Sequence, residues 1–275
     1  MRLKVFGVCG FALLLALSPA LAQVPSDETG GSLGFHSSSL RVREHGPRKA
    51  LGLHPDQVID GVTVTESSNW SGYAVVGSSF TQVKGSWTVP AVDCTALPDS
   101  SASFWVGLDG WVTDTVEQTG TDSDCDGQTP HYYAWYEFFP NGGITIFSVP
   151  VSPGDQMSAE VIYNGSEFQV NISNVTTGTS YRKSATVILA QRVSAEWIAE
   201  MNGYRLSDFD TVSFGEDYTD VKGSNYAADA STSGSIAAFR DRVWESVMAS
   251  GHTVEAVPSS LTSDGTSFTV VWKSD

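Results

Sequence analysis

Short segments rich in aromatic and β-branched residues follow one another along most of this chain, and this repetition limits its possible folds more than any other feature. Such segments favour strands. Turn-forming residues separate them, for example at Asn164-Gly165 and Asp264-Gly265. With almost no helical pattern between the segments, we predict an all-β fold, a lectin- or jelly-roll-like sandwich of two antiparallel sheets. The predicted strands cover 73–76, 80–89, 104–108, 132–139, 155–163, 168–172, 185–189, 195–201 and 268–272.

The first 61 residues have a different character. Residues 1–22 have basic residues at the start, an apolar stretch and a small-x-small ending at Ala20-Leu21-Ala22, which predicts a secretory signal peptide and a secreted product. Residues 23–61 contain few aromatic residues and a basic cluster that includes Arg43 and Arg48. This segment is either a removable pro-segment, held partly by charge, or a flexible tether. We assign residues 62–275 to the folded domain.

The net charge of the chain limits the kinds of molecule that it can bind. The net charge of −16 argues against binding to nucleic acid or to an anionic membrane, because both require a basic face. A monomer is expected, since no extended apolar helix face is evident.

The cysteines predict one disulfide. Once the signal peptide is removed, Cys94 and Cys125 are the only cysteines left. In an oxidising compartment they are expected to form a disulfide worth about 3 kcal/mol, with two free thiols as the alternative.

Most familiar catalytic and metal-binding motifs are missing from the sequence. The predicted folded domain, residues 62–275, contains no His-Glu-x-x-His and no Gly-x-Ser-x-Gly, and the chain has no Asp-Thr-Gly or Asp-Ser-Gly of an aspartic peptidase. The start of a calcium loop at 122–127 lacks its final Glu, because Tyr133 stands there. We therefore predict no metal and no cofactor, and an acidic hairpin turn at 122–127.

Carboxylates placed on strands are the remaining chemical signal. Strand alternation puts Glu196 and Glu200 on one face and Trp197 on the other, and it puts Trp135 and Glu137 on a shared face. Acidic groups beside tryptophan on a sheet face are typical of a cleft for polymer substrates.

Six short segments occur in order along the chain: Ser68 to Tyr73, Trp87 to Pro90, Phe104 to Gly110, Glu117 to Gly120, Ala134 to Glu137 and Ala195 to Glu200. Taken together, they resemble the glutamic peptidases, the eqolisin family of secreted acid endopeptidases. The fold of that family is a sandwich of two large antiparallel sheets. Residues 235–250 have apolar residues at helical spacing, and only the resemblance favours a strand there.

The resemblance implies a catalytic pair, Gln118 and Glu200, that hydrolyses polypeptides and is insensitive to pepstatin. Glu200 would accept a proton from the attacking water and return it to the leaving amine, while the Gln118 amide stabilises the oxyanion. An acid pH optimum is expected, because a free Glu has a pKa of about 4.3. Glu196 is the competing candidate for the carboxylate. The resemblance also places four residues in or beside the cleft, as substrate-binding residues: Trp105, Asp109, Trp135 and Glu137.

Two other functions remain open from the residues alone. A non-catalytic sandwich could bind carbohydrate through exposed Trp and Tyr side chains. A glycosidase could use two carboxylates, with Glu137 and Glu200 as the pair.

Overall fold

The computed structural model describes residues 43–275, so the predicted signal peptide and much of the predicted pro-segment lie outside the described residues. The described residues form eighteen strands, a short α-helix and a 3-10 helix. The strands are β1 (Gln57–Ile59), β2 (Val62–Ser67), β3 (Trp70–Val76), β4 (Gln82–Thr88), β5 (Ser101–Leu108), β6 (Val116–Asp126), β7 (Thr129–Phe139), β8 (Gly143–Ile146), β9 (Gln156–Tyr163), β10 (Phe168–Asn174), β11 (Thr179–Ala185), β12 (Ser194–Glu200), β13 (Thr211–Phe214), β14 (Tyr226–Ala228), β15 (Ser233–Ser235), β16 (Val243–Ser250), β17 (Thr253–Pro258) and β18 (Phe268–Trp272). The α-helix, α1, is Glu216–Thr219, and the 3-10 helix is Ile236–Arg242.

The strands form two sheets that are joined by one strand pairing. The first sheet runs in the order β8-β7-β6-β5-β12-β3-β16-β2-β1. The second runs in the order β11-β10-β9-β4-β13-β18-β17, with the β14–β15 hairpin added beside β4. Pairing of β16 with β17 joins the two sheets. Only β16 and β2 pair in parallel among these strands. The predicted antiparallel sandwich is confirmed.

The main hydrophobic core fills the space between the sheets. Strand β12 shows how the sequence produces this arrangement. Ala195, Trp197 and Ala199 are fully buried in the core. Ile198 belongs to a separate cluster of buried residues on the other face of the first sheet. The side chains therefore alternate along β12 as predicted, and Glu200 lies on the outer face with Ile198.

Two predicted strands need correction. Residues 185–189 are not a strand: β11 ends at Ala185, and the side chains of Ile188 and Leu189 are 90% and 75% exposed. The chain leaves the second sheet here to enter the first sheet at β12, so these apolar residues have no strand to pair with. Residues 235–250 contain both of the structures considered, because the 3-10 helix is followed directly by strand β16.

The two cysteines of the domain form a disulfide, Cys94–Cys125, as predicted. Cys125 lies near the end of β6, just before the turn into β7, so the bond ties this hairpin to the segment that precedes β5. The acidic run at 122–127 was predicted to be a hairpin turn, but residues 122–126 are the end of strand β6 and only Gly127 lies in the turn. Within residues 43–275, no helix has the length and apolar character needed to cross a membrane.

Candidate active site

The outer face of the first sheet carries a second cluster of buried aromatic residues. Trp70, Trp105 and Trp135 come from three different strands and are fully buried in this cluster. Trp70 and Trp105 pack edge to face, with ring centroids 4.8 Å apart. These large rings form an apolar floor, and the polar side chains described below project from the same strands.

Gln118 and Glu200 lie on β6 and β12, the two strands that flank β5. Gln118 is opposite Gly107 of β5, and Glu200 is opposite Ser103. Gly107 and Ser103 each lie two residues from Trp105 on β5. The side chains of Gln118 and Glu200 are therefore on the same face of the sheet as that of Trp105, where the aromatic floor lies. Register alone would favour Glu196, which also lies opposite Gly107, as the carboxylate beside Gln118. The hydrogen bonds of the two glutamates differ, however.

Glu200 is held by two side-chain donors at the aromatic floor. Trp105 donates from its indole N–H to Glu200 Oε2 at 2.9 Å, and Asn69 Nδ2 lies 3.4 Å from Oε1. Burial raises the pKa of Glu200 to about 8, and the nearby positive charge of His45 offsets part of that effect. Glu200 is therefore largely protonated at neutral pH in this structure.

Residues 43–50 of the chain cross this site, and we call them the covering segment. The carbonyl oxygen of Pro47 accepts a hydrogen bond from Asn69 Nδ2 at 3.2 Å, and Lys49 N–H donates to Asn69 Oδ1 at 2.7 Å. Asn69 thus contacts both Glu200 and the main chain of the covering segment. Arg48 donates its N–H to Gly110 O at 3.0 Å, and its guanidinium lies over the Trp111 ring. The guanidinium of Arg48 therefore contacts an aromatic ring here.

His45 makes the most extensive contacts of the covering segment. Its carbonyl oxygen accepts a hydrogen bond from Gln118 Nε2, and its N–H donates to Glu137 Oε2 at 2.9 Å. Its ring stacks on Trp135 with centroids 3.6 Å apart and planes 5° apart. His45 Nε2 lies 3.0 Å from Asp122 Oδ1 and 2.8 Å from Asn202 Nδ2. The side chain of His45 is 1% exposed, so a polar ring is enclosed by polar and aromatic partners.

The electrostatics of His45 and Asp122 reinforce each other. Burial alone would lower the pKa of His45, but the charge of Asp122, with hydrogen bonds to Asp122 and Glu137, raises it to about 10. Burial alone would raise the pKa of Asp122, but the charge and hydrogen bond of His45 outweigh it and lower this pKa. We conclude that the two residues form a buried ion pair.

The other predicted site residues separate into two groups. Trp105, Trp135 and Glu137 join Gln118 and Glu200 around the covering segment. Asp109 does not face the covering segment. Its carboxylate accepts hydrogen bonds from the backbone N–H groups of residues 191, 192 and 193 at 2.7–2.8 Å and anchors that loop.

Glu196, the competing carboxylate, is fully buried, and neither of its carboxylate oxygens has a hydrogen-bond partner among the described residues. Burial raises the pKa of Glu196 well above its ordinary value, so this residue is neutral.

Sequence reasoning missed four residues of the site. His45 was treated as part of a pro-segment or tether, Asp122 as part of an acidic turn, and Asn69 and Asn202 were given no role. Asp122 carried a usable signal, since it lies four residues after Gln118 on β6 and alternation puts both on one face. His45 carried no such signal, because it reaches the site from outside the strand pattern.

A comparison with family models identifies the chain. The Peptidase A4 family model matches residues 68–257, which is more than half of the sequence. The chain belongs to the peptidase A4 family. This confirms the resemblance to the glutamic peptidases on which the sequence predictions relied.

Two curated relatives of this peptidase A4 chain are similar in sequence. Aspergillopepsin-2 from Aspergillus niger is 33% identical over 168 residues, which cover 52% of this chain and 59% of the relative. Scytalidopepsin B from Scytalidium lignicola is 29% identical over 165 residues, which cover 59% of this chain and 60% of the relative. The chain thus spans 59–60% of the length of the curated relatives it matches.

A crystal structure of scytalido-glutamic peptidase with a transition state analog inhibitor has the same fold. It superposes with a TM-score of 0.61 at 24% identity and covers 75% of this chain and 98% of its own. At this identity the similarity establishes the sandwich fold of the peptidase A4 domain.

Proposed function

We propose that this protein is an endopeptidase that hydrolyses polypeptides with Gln118 and Glu200, without an aspartate pair and therefore insensitive to pepstatin. The course of the covering segment carries this proposal. Its main-chain carbonyl groups are hydrogen-bonded to Gln118 and to Asn69, the amide that also contacts Glu200. A cleft that binds a polypeptide through its main chain suits a peptidase better than a glycosidase or a carbohydrate-binding module.

The proposed chemistry assigns one role to each member of the pair. Gln118 Nε2 donates to a carbonyl oxygen of the bound chain, which is the bond that stabilises an oxyanion. One such donor is worth about 2.7–4 kcal/mol. Glu200 removes a proton from water as the water attacks the carbonyl carbon, and returns it to the leaving amine. Trp105 positions the Glu200 carboxylate, while Trp135 and Glu137 bind substrate.

Acid activity follows from the way the covering segment alters Glu200. With the segment in place, Glu200 is buried and its raised pKa keeps it protonated at acid pH, where it cannot act as a base. Departure of the segment admits water, which removes the main cause of that shift. The pKa then falls towards its ordinary value of 4.5, and an ionised fraction exists at pH 3–5.

The covering segment is accordingly proposed to be the inhibitory part of a pro-segment. It occupies the position at Gln118 that a substrate carbonyl needs, so substrate and segment exclude each other. Residues 1–22 are proposed to direct secretion, and residues 23–61 to be removed afterwards. Sequencing the N-terminus of the secreted protein before and after acid treatment tests both boundaries.

The test of function is hydrolysis of denatured protein at about pH 3–4 in the presence of pepstatin. We expect hydrolysis by the native protein and none by Glu200→Gln. Glu196→Gln is the matched control: Glu196 lies four residues earlier on the same face and is neutral, so its amide should preserve both fold and activity. Loss of activity in Glu196→Gln alone would move the catalytic carboxylate there. Full protein hydrolysis by Gln118→Ala would remove Gln118 from the proposed pair. No protein hydrolysis by the acid-processed native protein, together with hydrolysis of a glycan substrate, would favour the glycosidase pair, Glu137 and Glu200.

A further inference from the structure

The ring of His45 occupies a pocket built from residues of the folded domain. We define the imidazole pocket as Trp135, Asp122, Glu137 and Asn202. Trp135 forms the floor, with its ring stacked on the imidazole. Asp122 lies 3.0 Å from Nε2, and Glu137 Oε2 lies 3.6 Å from Nδ1. Each nitrogen of the ring therefore faces a carboxylate.

The imidazole pocket lies directly beside the proposed reacting groups. The main chain of the residue in the pocket is fixed on both sides, because its carbonyl accepts from Gln118 and its N–H donates to Glu137. Gln118 Nε2 also lies 3.2 Å from Glu137 Oε2, so the catalytic amide and the pocket share one carboxylate. The pocket therefore receives the side chain of the residue whose carbonyl group faces Gln118.

The chemistry of the pocket favours a flat cation. A neutral imidazole has one N–H, whereas the protonated ring has two, one directed at each carboxylate. Nε2 is within hydrogen-bond distance of Asp122, and Nδ1 lies within ion-pair distance of Glu137 without a hydrogen bond. Asp122 is fully buried and accepts further hydrogen bonds from the Tyr133 hydroxyl at 2.8 Å and the Asn202 amide at 3.1 Å. These donors hold the carboxylate in place before any ring arrives. An apolar side chain would leave this buried charge without a cation, which is a costly arrangement.

We infer that the imidazole pocket is a specificity subsite for polypeptides that carry a protonated histidine at the residue whose carbonyl faces Gln118, and that Asp122 selects it. The inference rests on the proposed peptidase function and names its substrate class. His45 is then the chain's own occupant of a site that also serves substrates. The raised pKa of His45 agrees with a ring that enters the pocket as a cation.

The first test measures occupancy of the pocket without requiring catalysis. The full chain carrying Glu200→Gln, which cannot process itself, is compared by amide hydrogen exchange with the same chain carrying His45→Phe or His45→Gln. We expect exchange of the covering segment to become faster by about 100-fold or more in both, and in Asp122→Asn. In the Asp122→Asn background, changing His45 should alter exchange by less than about 10-fold.

Asp124→Asn is the matched control for Asp122→Asn. Asp124 lies two residues along the same strand and accepts a hydrogen bond from the same Tyr133 hydroxyl, but it has no hydrogen bond to the imidazole. Exchange in Asp124→Asn should stay close to that of the parent chain. Equal exchange for His, Phe and Gln at position 45 would overturn the inference, whatever the activity of the protein.

The second test uses the acid-processed protein and peptides that differ at one residue. For peptides with His, Phe, Gln, Lys or Arg at the residue before the cleaved bond, we expect kcat/KM for His to exceed that for Phe and Gln by about 100-fold. Asp122→Asn should reduce this ratio to below about 10-fold, and Asp124→Asn should preserve it. Equal rates for all five peptides would overturn the inference and leave the peptidase function intact. A preference for Arg over His would overturn the assignment to histidine. If no peptide is cleaved at any acid pH, the proposed function fails, and the subsite fails with it.

Discussion

The groups around His45 determine the pH range over which the covering segment stays bound to the site. The perturbation is a change of pH on the full chain carrying Glu200→Gln, which remains uncut. The raised pKa of His45, from 6.5 to about 10, corresponds to about 5 kcal/mol in favour of the bound, protonated ring. That contribution is complete below about pH 6.5 and is lost as the pH rises through about 10.

The partner of His45 sets the acid limit. The pKa of Asp122 is lowered, so its contribution is present above its ordinary value of 3.8 and is lost as the pH falls through the lowered value. Glu137 and Glu200 also face the imidazole, and Asp124 lies behind Tyr133. In the chain carrying Glu200→Gln, position 200 holds an amide that does not titrate, so it adds no acid transition of its own. The covering segment should therefore be held most tightly between about pH 4 and 6.5.

Amide hydrogen exchange, corrected for the intrinsic effect of pH, measures this profile. The amides of His45, Arg48 and Lys49 report directly, because each donates to the folded domain. Loss of the ion pair increases opening by at most about 10³- to 10⁴-fold, since each pKa unit is worth tenfold. Protection that stays flat from pH 2 to 7 would refute the reasoning. So would the same profile in Asp122→Asn.

Three further predictions concern stability, each measured by chemical denaturation. Gly120→Ala should lower the free energy of unfolding by about 1–3 kcal/mol or more, because a Cβ there would lie 2.4–2.5 Å from atoms of the neighbouring strand β5. Gly52→Ala is the control and should leave the free energy of unfolding nearly unchanged, because the space around Gly52 is open. Replacing both Cys94 and Cys125 by Ala should cost about 3–4 kcal/mol, because the disulfide closes a loop with a sequence separation of 31. Asp109→Ala should cost about 3 kcal/mol or more, because three backbone N–H groups lose a buried carboxylate acceptor.

The alternation of side chains in the sequence was sufficient to predict most strands of the sandwich, because a strand with one face in a core has a side-chain period of two. Strand β12 is the clearest case, since alternation alone put Trp197 and Glu200 on opposite faces, and the structure then places Trp197 in the core. The pattern misled at residues 185–189, where an apolar run lies in a loop between the sheets. A short apolar run has the same sequence pattern in a paired strand as in a loop that connects two sheets. Only the positions of β11 and β12 in the structure distinguish the two.

The sequence by itself determined the all-β class and the family resemblance, and that resemblance implies the proposed pair Gln118 and Glu200. Tertiary structure decided what surrounds that pair. His45 and Asp122 are 77 residues apart, and their contact depends on a segment that crosses the sheet. Neither residue has a local pattern that indicates an ion pair, because burial and proximity create it. The raised pKa of Glu200 has the same origin, since water is excluded only when distant parts of the chain close over the carboxylate.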